Sequence, residues 1–273
     1  MAPDVLSIDA LAARVPDGAT IAVPPDYSGV ALAATLALIA RGVRGLHLVG
    51  VPSTGFQGDW LVGAGCVATI EAAAVTIGEY GPAPRFTAAM KAGAIRMVDG
   101  TCPAIHAGLQ AAEKGLPFMP LRGIIGSDLA LHRDDWKLGE NPFADDDPIL
   151  MIRAIRPDFA LFHAAKADRT GNVWIGVRRE LMLMAHAARQ TLVTVEEIVA
   201  GDLLADDATA AGTIPALYVS ALAEARHGMK PLGLRRLYRP DDAALRRYVE
   251  MARTDDGFRA WLDGALPRPR AAE

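Results

Sequence analysis

The segment 158–199 confines this chain to a narrow set of folds. It opens with a short apolar run at 159–162 and closes with another at 191–195, and the residues from about 179 to 188 between them read as a helix. Two short apolar strands joined through a helix predict a parallel βαβ unit, because parallel neighbours need a long crossover connection. The first run delivers His163, Lys166 and Asp168 into a turn closed by Gly171 and Asn172, and the second ends on Glu196 and Glu197. Open α/β sheets gather their sites at such strand ends. Side chains alternate along a strand, so at most one of the two glutamates faces a shared site.

The same alternation runs through the rest of the sequence. Ser7 is placed to cap a helix ending near Arg14, and strands are predicted at 19–23, 46–49, part of 67–75, 95–98 and 149–152. Helices are predicted at 30–40, 85–92 and 104–114, whereas 53–65 is a glycine-rich passage and 129–147 reads as a polar surface excursion. Of the 273 residues 51% are hydrophobic but only 6% aromatic, which favours close helix-on-sheet packing over an aromatic-rich sandwich. The expectation is an α/β fold with a mainly parallel sheet flanked by helices. It forms one domain over 1–265, ending in one or two amphipathic helices at 241–262, with 266–273 as a flexible tail.

A net charge of -4 carries no electrostatic footprint for nucleic acid. Cys66 and Cys102 make neither a disulfide framework nor a metal-ligand set. The first residues carry Asp4 and Asp9 and no continuous apolar stretch, and no run approaches the ~20 apolar residues that span a bilayer. A cytoplasmic protein with reduced thiols is expected.

Several motifs invite chemistry, and most have a plainer reading. Gly63, Gly65 and Ala68 fit a dinucleotide fingerprint, but β-branched residues follow where a helix should hold the pyrophosphate, so tight turns are favoured. Cys102 and His106 fall on one helical face without further ligands, which favours packing over metal or nucleophile. Asp145, Asp146 and Asp147 lack the alternating spacing of a calcium loop and read as a solvated run; no metal site is expected. Glu79, between Gly78 and Gly81, is sharper, since glycine lets backbone approach a ligand and a desolvated glutamate can attack a thioester. Its alternative is a turn with Glu79 facing solvent or a partner. The loops 24–29 and 122–128 each follow a strand and can offer backbone donors to an anion.

Taken in order, the motifs D-G-x-x-I-A-V, Gly58-Asp59-Trp60, G-E-Y-G, G-L-Q-A-A-E-K-G-L-P-F-M-P, R-G-I-I-G-S-D, E-N-P-F, H-A-A-K-A-D-R-T-G-N, T-V-E-E-I-V and His227-Gly228 resemble the α-subunit of family I coenzyme A transferases over about 5–235. That resemblance implies a coenzyme A transferase-type fold (NagB/RpiA-like) and pairing with a homologous β-subunit as heterodimer or heterotetramer. It implies a coenzyme A thioester as substrate, no permanently bound cofactor, and transfer to a second carboxylic acid through a glutamyl-CoA intermediate on the β-subunit. Tyr27, Ser28, Gly78, Arg122, Gly126, Ser127, Asp128 and Asn172 are then expected around the substrate, with Glu79 as this chain's own catalytic candidate.

Two departures stand out. The loop after the first long strand, Gly-Gly-Phe-like in the family, is Pro24-Pro25-Asp26-Tyr27-Ser28 here, so backbone donors are replaced by a stiff proline pair. The G-L-Q-A-A…L-P-F-M-P pattern also resembles a steroid-ring-cleaving branch of the superfamily, which uses a glutamate in the segment before the 104–114 helix; 99–103 here holds none, which leaves Asp99 or Glu79 as substitutes. A hydrolase subunit on the same fold and a non-catalytic binding subunit are the alternatives to the transferase.

Overall fold

The structure, a computed structural model, describes residues 3–266, so all but the first residue of the expected tail lies outside the described residues. Strand β1 (Asp4–Val5) leads into α1 (Ile8–Ala13), where the Ser7 hydroxyl accepts the free Ala10 amide at 3.1 Å. Then come β2 (Thr20–Val23), α2 (Leu32–Arg41) and β3 (Leu46–Gly50); α2 is closed by Gly42 in the left-handed region, φ 76°. After β4 (Ser53–Thr54) the glycine-rich passage, where sequence predicted no helix, forms α3 (Phe56–Gly63). Packing overrides propensity here. A Cβ on Gly58 would stand 2.6 Å from Thr54 and one on Gly63 2.5 Å from Phe258, so the glycines let α3 wedge between its neighbours. The first half ends with β5 (Val67–Ala72), β6 (Ala74–Val75), a 3-10 turn (Gly78–Tyr80), α4 (Pro84–Lys91), β7 (Arg96–Asp99) and α5 (Cys102–Glu113).

The chain next leaves the main sheet. β8 (Phe118–Leu121), α6 (Asp128–Leu131), β9 (Trp136–Glu140) and β10 (Pro148–Arg153) build an antiparallel sheet of order β8-β10-β9. The polar stretch is therefore more than a surface excursion: Trp136 is buried, with the Arg133 guanidinium 4.4 Å above its ring. The second half comprises β11 (Phe159–Asp168), β12 (Val173–Trp174), α7 (Arg179–Ala187), β13 (Gln190–Val199), α8 (Asp207–Ala210), β14 (Thr213–Ile214), β15 (Ala221–Glu224), α9 (Asp242–Met251) and α10 (Asp255–Ala265). β11 and β13 pair from Phe159↔Gln190 to Asp168↔Val199. His163, Lys166, Asp168 and both glutamates thus stand on strands, and the predicted turn begins only after Asp168.

The main sheet has the order β1-β15-β13-β11-β2-β3-β5-β7, parallel throughout, with β12 and β14 added antiparallel. From β2 the chain builds outward through β3 to β7, then returns to β11 on the other side of β2. Ligand crevices open at the carboxyl ends of strands at such a reversal. Alternation along β2 feeds two layers: Ile21 and Val23 join the core shared with α2, α3, α9 and α10, and Ala22 the core shared with α5 and α7. Among the described residues no helix is long and apolar enough to cross a membrane.

Candidate active-site cleft

The loops after β2, β3 and β5 converge at the carboxyl edge of the sheet. With residues 232–245 opposite, they wall a cleft of about 400 Å³ that includes Asp26, Tyr27, Thr54, Phe56, Glu79 and Leu245. That volume lies within the ~300–1,000 Å³ of small-molecule sites. Gly78 (φ 61°) and Gly81 (φ 104°) turn the chain sharply and leave Glu79 exposed on the rim. The Gly78 amide donates to Thr76 Oγ1 at 3.2 Å, and the Tyr80 ring meets Phe56 edge-on with centroids 5.7 Å apart. Thr54 Oγ1 is buried at the base with no hydrogen-bond partner among the described residues.

Sequence reasoning passed over Asp26. Its carboxylate accepts the Phe56 amide at 3.0 and 3.2 Å, capping α3 in place of Gly55, which has no side chain to do so. A Cβ on Gly55 would stand 2.0 Å from Asp26 Oδ2, so only glycine admits the carboxylate there. Burial pushes the Asp26 carboxyl up to about 7 against the pull of the Phe56 amide, and the charge of Asp59 adds to the rise. Asp59 is fully buried and accepts the Phe86 amide at 2.7 Å and the Tyr248 hydroxyl; burial still pushes it up to about 6. Buried carboxyls with raised pKa values mark candidate proton-handling positions, and of the two only Asp26 lines the cleft. A plain strand-loop-helix reading of 19–40 contains no signal for this, because the partners that bury Asp26 come from residue 55 onward.

Beyond Tyr27 lies a second cavity of about 110 Å³, floored by Gly29 and the His163–Ala165 backbone and walled by Ile175 and Leu181. Tyr27 is 62% exposed, with the Arg178 guanidinium 5.2 Å from its ring, and it borders both spaces. Ser28 is buried and donates its hydroxyl to Glu180.

Tyr27, Gly78 and Glu79 are thus brought together at the cleft, and Ser28 lines the smaller cavity. Arg122 instead pairs with Asp147 on the small sheet, where it borders a separate groove with Phe118 and Phe143. Gly126, Ser127 and Asp128 form the turn into α6, with Ser127 Oγ donating to the Ile124 carbonyl at 2.8 Å. Asn172 is buried in a corner: its Nδ2 donates to Asp168 at 2.8 Å and its Oδ1 accepts the Ala216 amide at 2.8 Å. Burial works against the charge of Asp168, but donors from Thr170, Leu203 and Asn172 prevail and hold it below the usual carboxylate range.

His163 and Glu196 make a second clasp. The buried imidazole meets Glu196 Oε1 at 2.8 Å, Tyr238 donates to the same oxygen at 2.6 Å, and the His227 amide donates to Oε2 at 2.6 Å. Burial opposes ionisation, yet these donors hold Glu196 down at about 2. Glu197 is exposed, as strand alternation requires. Cys102, exposed at the start of α5, and His106 one turn on border a groove against α7.

Residues 5–225 match the family described as Coenzyme A transferase. One subunit of the 3-oxoadipate CoA-transferase of Pseudomonas knackmussii is 31% identical over 259 residues, covering 91% of this chain and 88% of that protein. The glutaconate coenzyme A-transferase structure from Acidaminococcus fermentans superposes with a TM-score of 0.88 at 26% identity, over 96% of this chain and 88% of its own. The decarboxylase AibA/AibB gives a TM-score of 0.86 at 30% identity, over 98% of this chain and 100% of its own. The chain also spans half the length of an uncharacterised Archaeoglobus fulgidus protein. An unbroken family match over residues 5–225, with a relative 31% identical over 91% of the chain, shows that this chain belongs to the coenzyme A transferase family.

Proposed function

We propose that this chain is the α-subunit of a heteromeric enzyme that moves coenzyme A between an acyl-CoA and a carboxylic acid. The observation that carries this reading is the cleft at the carboxyl ends of β2, β3 and β5, largely apolar in its lining and open at the Glu79 rim. An exposed carboxylate is a weak nucleophile at a thioester, because water stabilises its charge. A homologous subunit seated over the rim supplies both the desolvation and the reacting glutamate. That glutamate's oxygen adds to the thioester carbonyl, the C–S bond breaks, and coenzyme A leaves as thiolate from an acyl–glutamyl anhydride. The thiolate then attacks the glutamyl carbonyl, releasing the acyl carboxylate and leaving glutamyl-CoA for the second acid to reverse the sequence. Tyr27 and Gly78 border the acyl group, and Asp26, neutral for part of the time near pH 7, replaces the backbone donors that Pro24 and Pro25 lack as hydrogen-bond donor to the carbonyl oxygen.

Co-expression with a homologous β-subunit tests this. The complex should exchange coenzyme A between two acids, and borohydride with acyl-CoA should reduce one glutamate of the partner chain, located by mass spectrometry. Turnover by this chain alone at ordinary rates of ~10 per second would overturn the subunit reading. A second reading is favoured by the likeness to a decarboxylase over the whole chain: cleavage of a carbon–carbon bond in an acyl-CoA, recognised by product release without an acceptor acid.

A further inference from the structure

The sheet of order β8-β10-β9 has one covered face and one bare one. Leu150 and Ile152 pack inward with Ala104 and Ala107 of α5, so alternation along β10 turns Ile149, Met151 and Arg153 outward. Ile149 and Met151, with Phe118 and Pro120 of β8, floor a groove of about 740 Å³. Gly139 keeps that floor low, since a Cβ there would stand 2.8 Å from the Met151 Cε methyl. The solvated face of an antiparallel sheet is ordinarily polar, whereas this one is apolar along its middle.

Phe143 stands beside the groove and is 93% exposed. The loop that carries it is fastened. Asn141 Oδ1 accepts the Phe143 amide at 3.0 Å, the Asn141 amide donates to the Asp147 carbonyl at 3.1 Å, and Asn141 Nδ2 donates to Asp147 Oδ2 at 2.6 Å. An aromatic side chain held in water by a closed loop is a cost to the isolated chain and a gain to any contact that buries it. One face thus carries both a knob and a hole. A two-fold contact needs that pairing, because the same patch serves both partners and each residue meets its counterpart reciprocally.

The charges around the groove are ordered along it. Glu140 lies opposite Pro148 at the start of β10, and Asp145 and Asp146 are in the loop leading into that strand. Lys137 lies opposite Met151, and Arg153 ends the strand opposite Phe118. Among the described residues none of these five side chains is in an ion pair. Laid antiparallel on a copy of itself, the face sets the acids of one protomer over Lys137 and Arg153 of the other, and Phe143 over the Phe118 end of the groove. Laid parallel, it sets like charges together, which is unfavourable. The groove shares no residue with the cleft, so a β-subunit seated on the Glu79 rim does not require it.

We propose that this face is a seam between two copies of this chain, related by a two-fold axis, with Phe143 of each seated in the groove of the other. The seam stands apart from the coenzyme A chemistry and needs no ligand. In the heteromer it joins two αβ units into an α2β2 assembly.

Analytical ultracentrifugation of the full chain, without β-subunit or coenzyme A, tests this. A dimer at micromolar concentration is expected. Phe143→Glu changes an exposed side chain, so it should keep the melting temperature of the monomer while raising the dissociation constant at least about 100-fold. Arg153→Glu should weaken the dimer about tenfold, and adding Asp145→Lys and Asp146→Lys to it should restore the affinity, as only facing charges can. A monomer at every concentration, an undisturbed dimer in Phe143→Glu, or no rescue by the reversed charges overturns the seam. In the co-expressed complex Phe143→Glu should halve the mass, from 2:2 to 1:1, and keep coenzyme A exchange. Loss of the β-subunit instead, with the chain's own dimer intact, assigns the face to that subunit and overturns the seam. Absence of exchange from a wild-type complex whose dimer Phe143→Glu breaks counts against the transferase reading and leaves the seam standing.

Discussion

Replacing Asp26 by asparagine keeps the side chain's shape and an oxygen for the Phe56 amide, but removes the charge that burial disfavours. A carboxyl whose folded pKa is raised contributes stability below its unfolded pKa and loses it as pH rises through the folded one. For Asp26 that loss runs from 3.8 to about 7. Three pH units correspond to about 4 kcal/mol at full value; one edge of this carboxyl opens on the cleft, where water relieves part of the cost, leaving ~2 kcal/mol. Asp26→Asn should therefore match the wild type near pH 4 and be ~2 kcal/mol more stable at pH 8, a rise in melting temperature of about 4–8 °C for a chain of this size. Urea denaturation and calorimetry at the two pH values measure it. Equal stability at pH 8, or the same difference at both pH values, would refute a burdened carboxyl at this position. In the complex the asparagine can still donate a hydrogen bond, so turnover should persist in Asp26→Asn and lose the fall that the wild type shows as pH rises through about 7.

Glu196→Ala removes the acceptor shared by His163, Tyr238 and the His227 amide; a loss of about 3 kcal/mol is expected by urea denaturation. In the wild type the same carboxylate has a lowered pKa, so its contribution is complete above 4.5 and disappears as pH falls toward about 2, a slope that acid titration of the variant should lack. Gly63→Ala places a Cβ 2.5 Å from the Phe258 ring and should cost about 1–3 kcal/mol through overpacking between α3 and α10, read as a lower melting temperature. Glu79→Gln should retain activity within about threefold in the complex; a fall of about a thousandfold would move the nucleophile onto this chain.

The βαβ frame was legible because each element carries its own signals. Ser7 announces α1, Gly42 closes α2, and the runs at 19–23 and 46–49 lie on strands β2 and β3. What escaped is what depends on neighbours distant in sequence. Gly58 and Gly63 read as loop residues, but in the fold they are the contact surface of α3 against Thr54 and Phe258. The strands β11 and β13 continue past their apolar cores because pairing, not hydrophobicity, extends them through Lys166 and Glu197. Part of the candidate cleft's lining was legible, at Gly78, Glu79 and Tyr27, where glycines and a loop after a strand mark the edge of a sheet. Asp26 was visible only as part of a loop, since a lone aspartate beside two prolines shows nothing of Gly55 or Asp59. Arg178 and Arg236 belong to separate turns that sequence spacing cannot bring to one cavity.

The contact between Gly29 and His163 has a consequence for how this protein can diversify. The His163 amide donates to the Gly29 carbonyl at 2.7 Å, and a Cβ on Gly29 would stand 2.2 Å from the His163 carbonyl oxygen. The backbone between cleft and cavity is therefore riveted to the central strand, and a mutation that shifted it would disturb the core before it altered the ligand. In the proposed heteromer, changes of substrate are channelled elsewhere: to the side chains of residues 26–28, to the 234–238 tip, and to the second subunit. A fixed frame with a mutable rim separates the residues that hold the fold from those that line the candidate cleft.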